Sequence, residues 1–337
     1  MVVSESGMET AGTNPRNPGR NGHGADRTSG GRTMGDFGRG MRPAEGIVAI
    51  YLLWTVSTLL IFHEGVADWS TLAQVNFLLA GGLVLAGRFP RVDQPWLALA
   101  RRLLPLVFIP ILYSEVKYLN DMFFPQTYFD DVVIVWEKIL FSGKVLPLVL
   151  YRWWPWRWLS EYIHLAYLAY YLVIPTPFVA LALTRQWKRL EQYLTALMLV
   201  FVVCQLLFIA FPVAGPFHHY PELDPYSMGR IFPPIVHRIL HGGSSIGTAF
   251  PSSHCAVAAT CWIVVLLWEK RAAWFLGFIV PALTLGTIYG GFHYGVDALA
   301  GWLLAVVMLP LSFALHRRWE RRRWWGADEP VETPPPS

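Results

Sequence analysis

Two short stretches hold the residue types that could do chemistry. The first is Gly247-Thr248-Ala249-Phe250-Pro251-Ser252-Ser253-His254, which runs straight into an apolar segment. The second is His293-Tyr294-Gly295-Val296-Asp297, directly before the last apolar segment. Two hydroxyls and an imidazole at a helix start suit an anion, because the first turn has unpaired N–H groups and the positive end of the dipole. His293 and Asp297 are four apart, so they share a face if Gly295 does not break the turn. A carboxylate there can bind one imidazole nitrogen and leave the other as nucleophile or base. Two histidines, an orienting Asp and an anion cradle suggest phosphoryl transfer without a metal. The bland reading is that Ser252 and Ser253 only cap a helix, with both histidines structural.

The composition says where such a site must sit. Of the 337 residues, 54% are hydrophobic and 15% charged, against about 25% charged in a soluble domain. Long apolar runs and missing charge predict a polytopic membrane protein. The net charge of +4 then reflects topology, not a nucleic-acid partner. Cys204, Cys255 and Cys261 all fall in apolar runs and read as small packers, not a disulfide framework or metal site. The histidines lack the spacing of a zinc site, and no Walker loop or dinucleotide fingerprint occurs, so no metal and no cofactor is expected.

Eight spans are expected: 46–62, 71–87, 103–119, 162–183, 193–211, 252–268, 272–288 and 296–315. The fold class is an all-α membrane bundle of about eight helices. The run 132–150 carries Glu137, Lys138, Gly143, Lys144 and Pro147 and reads as interfacial or re-entrant. Residues 1–43 form a disordered cytoplasmic tail and 44–102 two accessory helices. Residues 103–316 form a six-helix core, and 317–337 a basic, then Pro-rich, tail. With the N-terminus inside, arginines crowd the inner segments, and the outer ones hold only Lys138, Lys144, Arg152, Arg157, Arg230 and Arg238. Both termini are then cytoplasmic, and His254 and His293 meet at the outer face of a plasma or inner membrane.

The two stretches in this order resemble the type 2 phosphatidic acid phosphatase superfamily. That family carries a Pro-Ser-Gly-His motif, matched by Pro251-Ser252-Ser253-His254, and an SRxxxxxHxxxD motif, matched at its end by His293 and Asp297. The rows 162–175, 211–216 and 293–301 are similar to its inositol phosphorylceramide synthase-like (inositolphosphotransferase) branch. The resemblance covers roughly residues 103–315. It implies that His293 forms a phosphohistidine, Asp297 holds its tautomer, His254 serves as acid and then base, and Ser252, Ser253 and helix amides bind phosphoryl oxygens. The family's arginine would fall at Thr287 or Gly291, and Phe217 stands where another is expected. Lys117, inside the third span, is the expected substitute cation, with His218, His219 and Arg230 as others. The implied function is a metal-independent lipid phosphatase or phosphotransferase acting on a membrane lipid. The alternatives are a non-catalytic lipid-binding relative and, third, a transporter.

Overall fold

The computed structural model describes residues 40–88, 94–223, 229–243 and 245–325. The expected disordered N-terminal tail lies outside them except for 40–43, and the Pro-rich end lies outside them entirely.

Helices make up the architecture, with one isolated bridge between Val213 and Thr248. The chain opens with α1 (Pro43–Leu59), α2 (Trp69–Arg88) and α3 (Pro95–Leu119). Pro43 and Pro95 each stand at a helix start, where the missing N–H costs nothing. The Arg42 amide donates to Glu45 across the first turn of α1 at 2.9 Å. The run 132–150 splits into α4 (Asp130–Leu140) and α5 (Leu146–Trp153). Both are too short to span. Ser142 and Gly143 turn the chain between them with φ of 54° and 82°.

The fourth span is bent. It consists of α6 (Arg157–Leu168), α7 (Tyr170–Val173) and α8 (Pro175–Leu183), with a 48° angle before Pro175. Proline removes an amide from the ladder and clashes with the preceding turn, which accounts for the bend. Then come α9 (Trp187–Ala210), the single turn α10 (Pro216–His219) and α11 (Phe232–Gly243). The chain closes with α12 (Ser253–Trp268), α13 (Lys270–Tyr289) and α14 (Gly295–Trp325).

Among the described residues, α2, α3, α9, α13 and α14 are long and apolar enough to cross a membrane, and the bent pair makes a sixth. The other two expected spans, α1 and α12, form apolar helices of 17 and 16 residues, short of full crossing length. Two expected boundaries move. Helix α3 begins at Pro95, so the division placed after residue 102 falls inside it. Helix α14 runs to Trp325, so the basic stretch from Arg317 is helical and not a tail.

Helix α9 is the central pillar: 72% of its apolar window is buried, against 22–39% in the other long helices. Its Phe201, Leu197 and Leu194 join Leu52 of α1, Leu112 of α3 and Val257 of α12 in the main core. In lipid, apolar burial alone drives little helix association, so close packing of small residues matters. Helix α12 supplies it with Ala256, Ala258 and Ala259, all fully buried. On α14, a Cβ at Gly301 would meet the Ser252 carbonyl at 2.5 Å, so only glycine lets α14 lie against the start of α12.

Candidate active site

The ends of α3, α9 and α13 and the starts of α12 and α14 converge on one cavity. Tyr113 of α3 lines it with Tyr167 of α6, His218 of α10, His237 of α11, His254 of α12 and His293. Its volume is about 80 Å³. At about 10–15 Å³ per water on this measure, it holds a few waters or one tetrahedral oxyanion.

His254 sits in the first turn of α12 because Ser252 is the N-cap. The Ser252 Oγ accepts from the Cys255 amide at 3.3 Å. The His254 Nε2 shares a 3.1 Å hydrogen bond with the Tyr167 hydroxyl, and the two rings stack at 4.9 Å. Tyr170 packs on the same imidazole at 4.6 Å. The aromatic row 162–175 is therefore the bed on which His254 lies.

His293 does not share a helix with Asp297. Helix α14 starts at Gly295, and His293 occupies the turn before it. Its Nδ1 lies 2.8 Å from the Ala249 carbonyl oxygen and 3.8 Å from Asp297 Oδ2. A carbonyl can only accept, so Nδ1 carries the proton and Nε2 keeps its lone pair. The Ala249 backbone thus fixes the tautomer that the sequence assigned to Asp297. Asp297 is fully buried and accepts from the Tyr294 amide at 2.7 Å. The rings of His254 and His293 are 5.9 Å apart, with both on the cavity wall.

The two stretches are joined through backbone as well. The Ser252 amide donates to the Asp297 carbonyl at 3.0 Å. The bridge between Val213 and Thr248 ties the segment before His254 to the loop after α9.

Of the expected anion-binding residues, Ser252, Ser253 and Lys117 do not line the cavity, whereas His218, one of the other candidate cations, does. Ser252 is fully buried as the N-cap, and Ser253 is buried beside it. Lys117 is exposed, with its ammonium 4.7 Å from the Tyr118 ring centroid. It lies one turn beyond Tyr113, which is the residue α3 presents to the cavity. Glu115 accepts from Asn76, so it is not a partner that explains Lys117. No Lys or Arg lines the cavity among the described residues. No group of three or more His, Cys, Asp or Glu there is arranged to hold a metal.

Three carboxylates to which the sequence reading gave no role in the site hold its loops. Asp130 of α4 accepts from the amides of Ala214 and Gly215, both at 2.8 Å, and from the Tyr294 hydroxyl at 3.2 Å. Gly215 has φ of 99°, a conformation in which glycine is unstrained. Glu137, seven residues along α4, accepts from Leu146, Gly295 and Val296. It therefore caps the start of α14 next to His293, with the sign that a helix N-terminus favours. Burial pushes the Glu137 carboxyl above its ordinary range, and the three amides draw it back part of the way. Glu161 of α6 accepts from Arg230, Ile231 and Phe232 at 2.6, 3.0 and 2.7 Å, and so caps α11. Only their positions in short amphipathic segments could have drawn attention to them.

A family model described as the PAP2 superfamily matches residues 147–311, just under half of the chain. His254, His293 and Asp297 fall inside that range; Tyr113, Asp130 and Glu137 precede it. Undecaprenyl-diphosphatase of Sulfolobus acidocaldarius is 35% identical over 57 residues, which is 17% of this chain and 28% of that protein. The alignment thus spans little more than a quarter of that relative's length. No solved structure matches. Together with the membrane-capable helices, these similarities support a membrane phosphatase.

Proposed function

We propose that this chain is a member of the type 2 phosphatidic acid phosphatase superfamily that acts on a lipid phosphate or phosphodiester through a phosphohistidine. The observation that carries the reading is one cavity with two imidazoles 5.9 Å apart, one of them with a fixed tautomer. His293 Nε2 attacks phosphorus as the bond to the lipid oxygen breaks. His254 gives that oxygen a proton. The imidazolium character that grows on His293 is balanced by Asp297, 3.8 Å from Nδ1. Water or an alcohol then attacks the phosphohistidine, and His254 takes its proton. Tyr167 holds the His254 ring by stacking and by its hydroxyl.

The sequence rows similar to the inositolphosphotransferase branch support transfer to an alcohol, and the likeness to an undecaprenyl-diphosphatase supports hydrolysis of a polyprenyl diphosphate. The reaction runs at the outer membrane face, with both termini cytoplasmic, a reading supported by the charge asymmetry of the loops. The test is to incubate purified protein with labelled lipid phosphates and diphosphates, with and without alcohol acceptors. Acid-labile label on the wild-type protein but not on His293→Ala is the expected result; turnover that is unchanged in His293→Ala sinks the mechanism. A second reading, a lipid-binding relative without activity, draws on the lack of any Lys or Arg among the described residues lining the cavity. It predicts lipid binding with no turnover on any substrate of the panel.

A further inference from the structure

A phosphoryl group in transfer spreads negative charge over its oxygens, and a site that binds it needs positive charge or aimed donors. The Lys117 ammonium lies over the Tyr118 ring, and no Lys or Arg lines the cavity among the described residues. Among the described residues His218, His237, His254 and His293 line it, and the phosphohistidine scheme uses only His254 and His293.

The other two arrive on separate elements. His218 belongs to the single turn α10 and is exposed at the cavity mouth. Its backbone is set by Asp130, which grips Ala214 and Gly215 just before it. His237 belongs to α11 and is 3% exposed. Glu161 fixes the start of α11, and Val236 and His237 face inward while Ile235 and Ile239 stay exposed. The His237 ring lies 4.8 Å from Phe292 and 5.1 Å from Phe217. A carboxylate clamp therefore positions the element that carries each histidine.

We infer that His218 and His237 are the anion-binding residues of this cavity, a histidine pair that holds the non-transferring oxygens of the phosphoryl group. The inference rests on the reading of the cavity as a phosphoryl site. An arginine is charged at all relevant pH, whereas an imidazole holds an anion best when protonated. Oxyanion affinity therefore falls as pH rises through the histidine range. The titratable groups around the pair are His164 and Glu161 of α6, Tyr167, Tyr113, His254 and His293. Of these only the histidines titrate near neutral pH in their unperturbed state, so variants are needed to assign the slope.

The probe is tungstate, a tetrahedral dianion, with binding measured calorimetrically on detergent-solubilised full chain at about pH 6 and about pH 8. The combined His218→Ala, His237→Asn variant should bind about 10²-fold more weakly at the lower pH and lose most of the pH slope. His218→Arg, a change at an exposed position, should bind more tightly than wild type at the higher pH. Wild-type affinity and slope in the combined variant would overturn the inference. If that variant does not fold, His218→Arg decides: no gain over wild type at the higher pH overturns it equally. Lipid-phosphate turnover is scored separately. A wild type that binds tungstate through this pair yet turns over nothing retains the inference and removes the enzymatic reading. Turnover with no effect of the pair does the reverse.

Discussion

The two ends of this bundle use carboxylates in opposite ways. At the cavity end, Asp130, Glu137 and Glu161 accept backbone amides and hold loops and helix starts in place. At the other end, where α3, α9 and α13 begin, carboxylates pair with guanidinium groups. Glu191 of α9 meets Arg102 at 3.0 Å and Arg42 at 3.5 Å, and Glu45 meets Arg101 at 3.4 Å. Arg102 is fully buried. The far end thus cross-links α1 and α3 to the central pillar with long side chains. The near end instead fixes main chain through carboxylate–amide hydrogen bonds, around a cavity wall that carries imidazoles. One end holds backbone with its carboxylates; the other joins side chain to side chain.

That contrast can be broken by experiment, and the largest effect should fall on the cavity itself. His293→Ala should reduce lipid-phosphate turnover about 10⁴-fold or more, the scale of a lost nucleophile, with thermal unfolding little changed. Next comes the far end. Glu191→Ala removes the carboxylate shared by Arg42 and Arg102 and should destabilise by about 3–5 kcal/mol. The protein that remains folded should keep its turnover number, which separates joint from site. Glu137→Ala leaves three amides without their acceptor, at about 1–3 kcal/mol for each one left buried. Unlike Glu191→Ala, it should also cost turnover, because it loosens the start of α14 beside His293; Glu137→Gln should recover part of both. If Glu137→Ala proved a stability variant with normal turnover, the division between the ends would be false.

Smaller effects sharpen the picture. Tyr167→Phe keeps the stack on His254 but loses the hydroxyl, a change worth about 1 kcal/mol and so several-fold in turnover, seen best in the pH profile. Lys117→Ala should change turnover hardly at all, since the ammonium lies over the Tyr118 ring and not in the cavity. A loss of about 10²-fold there would restore Lys117 as the missing cation. Activity, once found, should survive EDTA, because the nucleophile proposed is a side chain.

The spans were legible in the sequence because an apolar run is a local signal and its length is set by the bilayer. The motif stretches were legible because an N-cap hydroxyl and a following apolar run mark a helix start. What failed was depth along a helix: Tyr113 and Lys117 are one turn apart on the same face of α3, and nothing in the apolar third span says which turn meets the cavity. Helix register failed at Gly295, where the helix begins two residues too late for His293 to lie on it. The Ala249 carbonyl has no signature at all, since every residue has one. Asp130, Glu137 and Glu161 reach partners 84, 159 and 71 residues away, and no periodicity encodes such pairs. His237 has no sequence signature either; only the folding of α11 gives it a buried side.

Gly301 gives the site a ruler. Helix α14 can rest on the first turn of α12 only because position 301 carries no side chain, and the Ser252 amide reaches the Asp297 carbonyl across the same contact. The gap between the two imidazoles is therefore measured out by main chain against main chain. Tyr167 and Tyr170 then seat the His254 ring within that measure. A single methyl group at position 301, itself outside the cavity wall, would lengthen it.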